Sequence, residues 1–223
     1  MILYIDTAFD ETTLAIKKDK KIFEEKISKN TNISQILIEK TKHIFKKIGV
    51  EKEEIDAIGF NNGPGNFTSL RVALAYVKAI SYYLSIPVIP INSFQVLLLS
   101  SHEVSDENQI LIAIDAKMNE VYWVYCNHYS DLFLNRTNFN LTSEYEIYEN
   151  IKNFNAKNLK LIKNNSNILN NTNKNNLFFD KIIKHKNKEN LEHIFSYIEK
   201  HQVDNTNEVN LLYVRNNVAK KMI

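Results

Sequence analysis

Short apolar runs and longer helical periods divide the first hundred residues into clear segments. Ile2 to Ile5 is an unbroken apolar run closed by Asp6, the pattern of a strand buried on both faces. Thr12 to Ile16 is rich in β-formers, and Phe23 and Ile27 alternate with Glu24 and Lys26. Tight turns around Asp10 and Lys18–Lys20 join these three strands. A helical period runs from Ile33 to Ile48. Asn32 and Gln35 are spaced as a capping box, and Gly49 stands where a left-handed cap closes a helix. A strand over Ile55–Phe60, a turn over Asn61–Asn66 and a helix from Phe67 to Leu84 follow. Pro87–Ile91 reads as a strand and Phe94–Ser100 as a helix. The order is β-β-β-α-β-α-β-α, that of an α/β protein.

The second half is less patterned. Gln109–Asp115 and Glu120–Asn127 read as strands around a turn at Ala116–Asn119, and Glu189–His201 reads as a helix. Leu211–Arg215 reads as a strand or an extended closing segment. Asparagine dominates between Asn150 and Asn176, which predicts turns and long loops. There is no internal sequence repeat, heptad or Gly/Ser linker. Polar residues cluster at His102–Asn108, and a boundary there divides the chain into 1–104 and 105–223, with the C-terminal segment free to return to the first part.

The helix at Phe67–Leu84 carries more apolar surface than a sheet consumes. At 100° per residue, Leu70, Ala73, Leu74, Val77, Ile80 and Leu84 form one face. The opposite face holds Val72, Ala75, Ala79, Tyr82 and Tyr83, with only Arg71 and Lys78 charged. Ala75 and Ala79, one turn apart, let another helix come close. The preceding helix offers Leu37, Ile44 and Ile48 to the sheet, and its apolar arc broadens through Ile38 and Phe45. Two readings stay open: the helices cover each other and the second lobe, or they present a partner interface.

Composition narrows the chemistry. The 223 residues carry a net charge of +2, too balanced for a protein built to coat nucleic acid. The single cysteine, Cys126, excludes an internal disulfide framework and fits a reducing, cytoplasmic setting. No secretory pattern opens the sequence. The uncharged stretch Ala79–Ser101 is broken by Pro87 and Pro90, so no membrane span is expected. The four glycines end at Gly65, so no phosphate loop is expected beyond it. Asn62-Gly63-Pro64-Gly65-Asn66 joins a strand to a helix, as a capped turn or as an anion site. Asp6 and Asp115 close strands, as turn formers or as ligands of metal-bound water. The six histidines, His43, His102, His128, His185, His193 and His201, form no HxxxH pair, and His43 lies on the polar side of its helix. No G-x-S-x-G elbow is present, and Cys126 sits in an aromatic strand, where burial is expected. Lys181, Lys184, His185, Lys186 and Lys188 form a basic run that reads as a solvated face or as a contact to RNA phosphates.

Four segments taken in order resemble one family. Asn62-Gly63-Pro64-Gly65-Asn66-Phe67-Thr68-Ser69-Leu70-Arg71-Val72 resembles the GPGSFTGLRI signature of the TsaB (YeaZ) proteins. Ile5-Asp6-Thr7, Ile114-Asp115-Ala116-Lys117-Met118-Asn119-Glu120-Val121-Tyr122 and Tyr213-Val214-Arg215-Asn216-Asn217-Val218-Ala219 agree with it. The resemblance is strong over Met1–Val124 and returns at the C-terminus. Ser69, Ala73 and Ala79 replace glycines usual in the family, and Ile33-Ser34 stands where the family often has His-Ser.

The resemblance implies two actin-like (ASKHA, RNase H-like) lobes, the second reduced. It implies a non-catalytic subunit, with no cofactor or metal of its own, acting with TsaD and TsaE in threonylcarbamoyl transfer to the adenosine beside the anticodon of tRNAs. The implied contact to TsaD, through the N-terminal-lobe helices, matches the apolar excess at Ile38, Phe45, Val72, Ala75, Ala79, Tyr82 and Tyr83. Contact with tRNA is then indirect, and the isolated chain can form a homodimer. The competing readings are a small actin-like kinase using Asp6 and Asp115, and a glycoprotease-like peptidase.

Overall fold

The N-terminal apolar run forms the middle of a sheet. The computed structural model describes residues 1–28, 32–101, 109–134, 136–151, 159–169, 188–202 and 209–214. By packing they divide into two units, one from Met1–Ser100 and Lys186–Leu212, the other from Ser101–His185 and Tyr213–Ile223.

The first unit is a layered α/β structure. Its strands are β1 (Ile2–Asp6), β2 (Thr12–Lys18), β3 (Lys21–Ile27), β4 (Ala57–Asn61) and β5 (Val88–Ile91). The sheet order is β3-β2-β1-β4-β5; β1, β2 and β3 pair antiparallel, and β4 and β5 extend the sheet in parallel. All five residues of β1 are buried, as a strand covered on both faces requires. Alternation assigns the two faces. Leu3, Ile5, Leu14, Ile16, Ile58 and Phe60 meet α1 (Ile33–Ile48) and α2 (Phe67–Leu84) through Leu37, Ile44, Leu70, Ala73 and Val77. Tyr4, Ala15, Ile89 and Ile91 meet α3 (Ser93–Leu99) and α5 (Lys188–His201) through Val96, Leu191, Ile194, Phe195 and Ile198. Each fully buried side chain of this size contributes about 1.5–3 kcal/mol.

Helix α5, which follows the second unit's strands in the chain, packs on the first unit's sheet. Gly59 makes the approach possible, because a Cβ there would lie 2.2 Å from Ile198 Cδ1. Two local expectations change. A 3-10 turn, Lys52–Glu54, precedes β4, so that strand starts at Ala57 and not at Ile55. The Asn32/Gln35 capping box does not form. Asn32 Oδ1 accepts from Ser34 Oγ at 2.7 Å, and Gln35 Nε2 donates to Glu39 at 2.8 Å. The box forms instead at Asn92 and Gln95, which open α3.

The second unit contains β6 (Gln109–Lys117), β7 (Glu120–Cys126), β8 (Asn140–Ser143), α4 (Glu144–Ile151) and β9 (Leu159–Lys163). Its sheet order is β8-β7-β6-β9, antiparallel except for the parallel β6–β9 pair. This repeats the order and directions of β3-β2-β1-β4, with no counterpart of β5 among the described residues. Leu111, Ala113, Val121, Trp123 and Leu161 pack with Ile147 of α4. The loops expected between Asn150 and Asn176 are corrected by β9, which lies within that stretch. Residues 209–214 contain no strand; the Leu212 N–H donates to the Asn62 carbonyl at 2.9 Å, and Arg215 lies outside the described residues.

Candidate functional site

The turn between β4 and α2 sets where α2 begins. Asn61 Oδ1 accepts from the Gly63 N–H at 3.0 Å and from Ser93 Oγ at 2.9 Å. Gly63 has φ +99°, and its peptide bond to Pro64 is cis. The Asn66 N–H donates to the Ala8 carbonyl at 2.8 Å, and its side chain caps α2 by accepting from Ser69 N–H at 3.2 Å. Gly65 is not at positive φ. A Cβ there would lie 2.3 Å from the Ala8 oxygen, so the position needs space, whereas Gly63 needs conformational freedom. These bonds make the turn a capped strand-to-helix junction.

From this anchor α2 runs beside α1. Leu70, Ala73 and Val77 are buried against the sheet, and Leu74, Ile80 and Leu84 pack partly against the same core. Tyr76 lies between the helices and hydrogen-bonds Thr41; burial raises its phenol pKa. Gly49 closes α1 at φ +66°, as the sequence predicts. Of the seven residues expected at a partner surface, Tyr82, Tyr83 and Ile38 are 90%, 64% and 44% exposed. Ala75 and Ala79 are exposed, while Val72 and Phe45 are half-buried. Phe45 also packs against the core beneath α1. The result is an apolar strip with Ala75 and Ala79 at its centre and two tyrosines at its C-terminal end.

Cations border the strip. Lys52 lies 4.5 Å over the Tyr83 ring, and Arg71 3.6 Å over the Phe67 ring. On the far edge of α1, Lys40, His43 and Lys47 converge on Glu25 of β3 at 3.5, 3.2 and 3.6 Å. His43 thus has a carboxylate neighbour in addition to solvent. The sequence reading missed Lys42 and Lys46, which are exposed on α1. Their i, i+4 spacing beside Ile38 and Phe45 was the available signal.

Both strand-end aspartates hold turns. Asp6 is 1% exposed and accepts from Ala8 N–H at 2.9 Å and the Tyr4 hydroxyl at 3.2 Å. Asp115 accepts from Lys117 N–H at 2.8 Å, Lys117 Nζ at 2.6 Å and Asn165 Nδ2 at 2.9 Å. Burial alone raises its carboxyl pKa, but the hydrogen bonds from Lys117 and Asn165 outweigh that and hold it below the ordinary aspartate value. Asn61 in the first unit and Asn165 in the second likewise accept from the amide two residues on. Cys126 is buried, and desolvation pushes its thiol up to about 12. Among the described residues no group of three His, Cys, Asp or Glu side chains is placed to hold a metal, and no helix is long and apolar enough to cross a membrane. His102, the basic run 181–186 and the motif residues 215–219 lie outside the described residues, as does the Lys188 side chain.

The chain is α/β with two mixed sheets, in the actin-like ATPase fold class. It superposes on YeaZ from Pseudomonas aeruginosa with a TM-score of 0.70 at 17% identity, covering 95% of this chain and 98% of that one. A Bacteroides thetaiotaomicron protein described as having an actin-like ATPase fold matches with a TM-score of 0.50 at 10% identity, over 87% of this chain and 95% of that one. The family model described as TsaD, tRNA N6-adenosine threonylcarbamoyltransferase, matches residues 24–137. A curated relative, the tRNA threonylcarbamoyladenosine biosynthesis protein TsaB of Buchnera aphidicola subsp. Schizaphis graminum, is 29% identical over 125 residues. The match covers 55% of this chain and 59% of that relative, less than two thirds of its length. The chain belongs to the family that this model describes, and it is similar to the TsaB (YeaZ) proteins.

Proposed function

We propose that the chain is a non-catalytic subunit of the cytoplasmic machinery that makes threonylcarbamoyladenosine in tRNA. The α1–α2 face docks on a transferase of the TsaD type, TsaE joins the pair, and tRNA is engaged through the partner. The observation that carries this reading is the exposure of Tyr82, Tyr83, Ile38 and the Ala75–Ala79 strip on a helix whose other face is fully used by the core. An apolar strip of this kind is the usual mark of an interface. The names of the curated relatives supply the pathway. Asp6 and Asp115, which a kinase would need, are engaged in turn hydrogen bonds, in keeping with a subunit that performs no chemistry.

The test is a charge placed in the strip. Ala79 is better than Ala75, because Arg71 and Lys78 lie one turn from position 75 and would pair with a carboxylate there. Ala79→Glu adds bulk at a close approach and buries an unpaired charge, a loss of several kcal/mol or about a hundredfold or more in affinity. The expected result is a wild-type circular-dichroism melt with no pull-down of the purified transferase. Val77→Glu, in the core, should unfold the chain itself. Normal binding by a folded Ala79→Glu protein would move the interface elsewhere.

A further inference from the structure

Helices α1 and α2 together carry six lysines and arginines and one carboxylate, Glu39. Helix α2 has no acidic residue in its 18 positions. Two of the six cations are engaged within the fold, since the one carboxylate of Glu25 is shared by Lys40 and Lys47, and His43 with them, on the β3 side of α1. Glu39 lies beside Gln35, which donates to it at 2.8 Å. The other cations surround the apolar strip. Lys42 and Lys46, one turn apart and exposed, flank it beyond Ile38 and Phe45. Arg71 and Lys78 flank it along the opposite edge of α2, and Lys52 closes it at Tyr83, with Glu53 at 3.7 Å as its carboxylate. Among the described residues Lys42, Lys46 and Lys78 have no carboxylate within ion-pair distance. The strip is thus apolar at its centre and positive on both long edges.

We propose that this surface selects a protein partner whose own helical face has an apolar centre and an acidic rim, with Asp or Glu placed opposite Lys42, Lys46 and Lys78. The inference rests on the docking reading above and adds the sign of charge that recognises the partner. Charge complementarity of this kind sets association rate and partner choice more than final affinity. It also selects against a second copy of the chain. A twofold interface sets a patch against itself, which brings the two cationic rims together. RNA fits less well, because a phosphate backbone would leave Tyr82, Tyr83 and Ile38 against a polar surface.

The experiment measures association of the full chain with the purified transferase from about 50 to about 500 mM salt, where the screening length shortens severalfold. The association rate should fall about tenfold or more across that range, with dissociation changing less. Lys42→Glu/Lys78→Glu alters only exposed rim positions. It should melt like the wild type, associate about tenfold or more slowly at low salt, and lose most of the salt dependence. A flat salt response with normal association by the double variant would overturn the acidic rim. If Ala79→Glu still abolished binding in that case, the docking face would stand and only the rim would fall. If Ala79→Glu also bound normally, the docking reading would fall too. Two other outcomes overturn the proposal: a low-salt dimer of the isolated chain broken by Ala79→Glu, or a band-shifted complex with purified tRNA lost in Lys42→Glu/Lys78→Glu.

Discussion

Gly65→Ala isolates the reason for the second glycine of the turn. The added Cβ would lie 2.3 Å from the Ala8 oxygen and 2.8 Å from the Ala8 carbonyl carbon and Cα. These are backbone atoms of the segment after β1, so no side-chain rotation relieves the overlap. Separating the two segments also breaks the 2.8 Å hydrogen bond from Asn66 N–H to the same carbonyl and disturbs the residue that caps α2. Overpacking costs about 1–3 kcal/mol, and leaving a buried carbonyl without its donor costs about 1–3 kcal/mol more. At about 2–4 °C per kcal/mol for a chain of this size, a sum of about 2–6 kcal/mol lowers the melting temperature by roughly 4–24 °C. The comparison is Gly49→Ala, where nothing lies within 4 Å of the new Cβ but φ is +66°. That substitution costs only the left-handed conformation, about 1–2 kcal/mol. Asparagine separates the causes further, since it tolerates left-handed backbone. Gly49→Asn should be mild, and Gly65→Asn at least as damaging as Gly65→Ala. Circular-dichroism melts of the four variants decide the matter. A Gly65→Ala protein melting with the wild type would refute the steric argument, and one that melts normally but no longer binds the transferase would make the turn a functional surface.

Gly59→Ala should cost about 1–3 kcal/mol by forcing Ile198 away. Ile198→Val removes the Cδ1 atom 2.2 Å from the new Cβ, so in urea titrations the double variant should be less damaged than the sum of the singles, and strict additivity would contradict the packing of α5 on β4. With its thiol raised to about 12, Cys126 stays protonated near neutrality and should react with an alkylating reagent only after unfolding; rapid labelling of the native chain would contradict its burial. Because the folded-state carboxyl of Asp115 is depressed, its stabilisation is present above the unfolded value near 3.9 and is lost as pH falls through the folded value. The melting-temperature gap between wild type and Asp115→Asn should therefore be widest near neutrality and narrow below about pH 4; a gap that widens in acid would reverse the sign.

What sequence reading recovered depended on how local the cause was. Helices α1 and α2 were legible because their buried residues recur with helical period and Gly49 marks an end. Strand β9 was hidden because Leu159–Lys163 carries two lysines in five residues beside an asparagine-rich stretch. Lys163 is nevertheless 5% exposed, its ammonium donating to the Ile168 carbonyl at 2.6 Å, a partner that no periodicity reveals. The Asn32/Gln35 spacing misled because Ser34 and Glu39 take both side chains, while the same chemistry at Asn92 and Gln95 forms the box. In the candidate site, the apolar strip could be read from one helical wheel. The pairing of Lys40 and Lys47 with Glu25 could not, because it depends on β3 lying beside α1. The need for space at Gly65 was illegible too, since its obstacle, Ala8, lies 57 residues earlier in the chain.

The return of α5 to the first sheet sets a timetable for synthesis. By the time Ser100 is made, all five strands of that sheet and α3 exist, but the face bearing Tyr4, Ile89 and Ile91 still lacks α5, which supplies most of its cover. Leu191 follows about ninety residues later, which at about 5–20 residues per second is roughly 5–20 s of elongation. For that interval the ribosome carries a sheet with one greasy side open to other nascent chains. The Ser101–His185 segment of the second unit is made within the same interval, so its length fixes how long the exposure lasts. A message truncated anywhere before the α5 codons leaves the first unit without its lid, however well its own hundred residues are encoded.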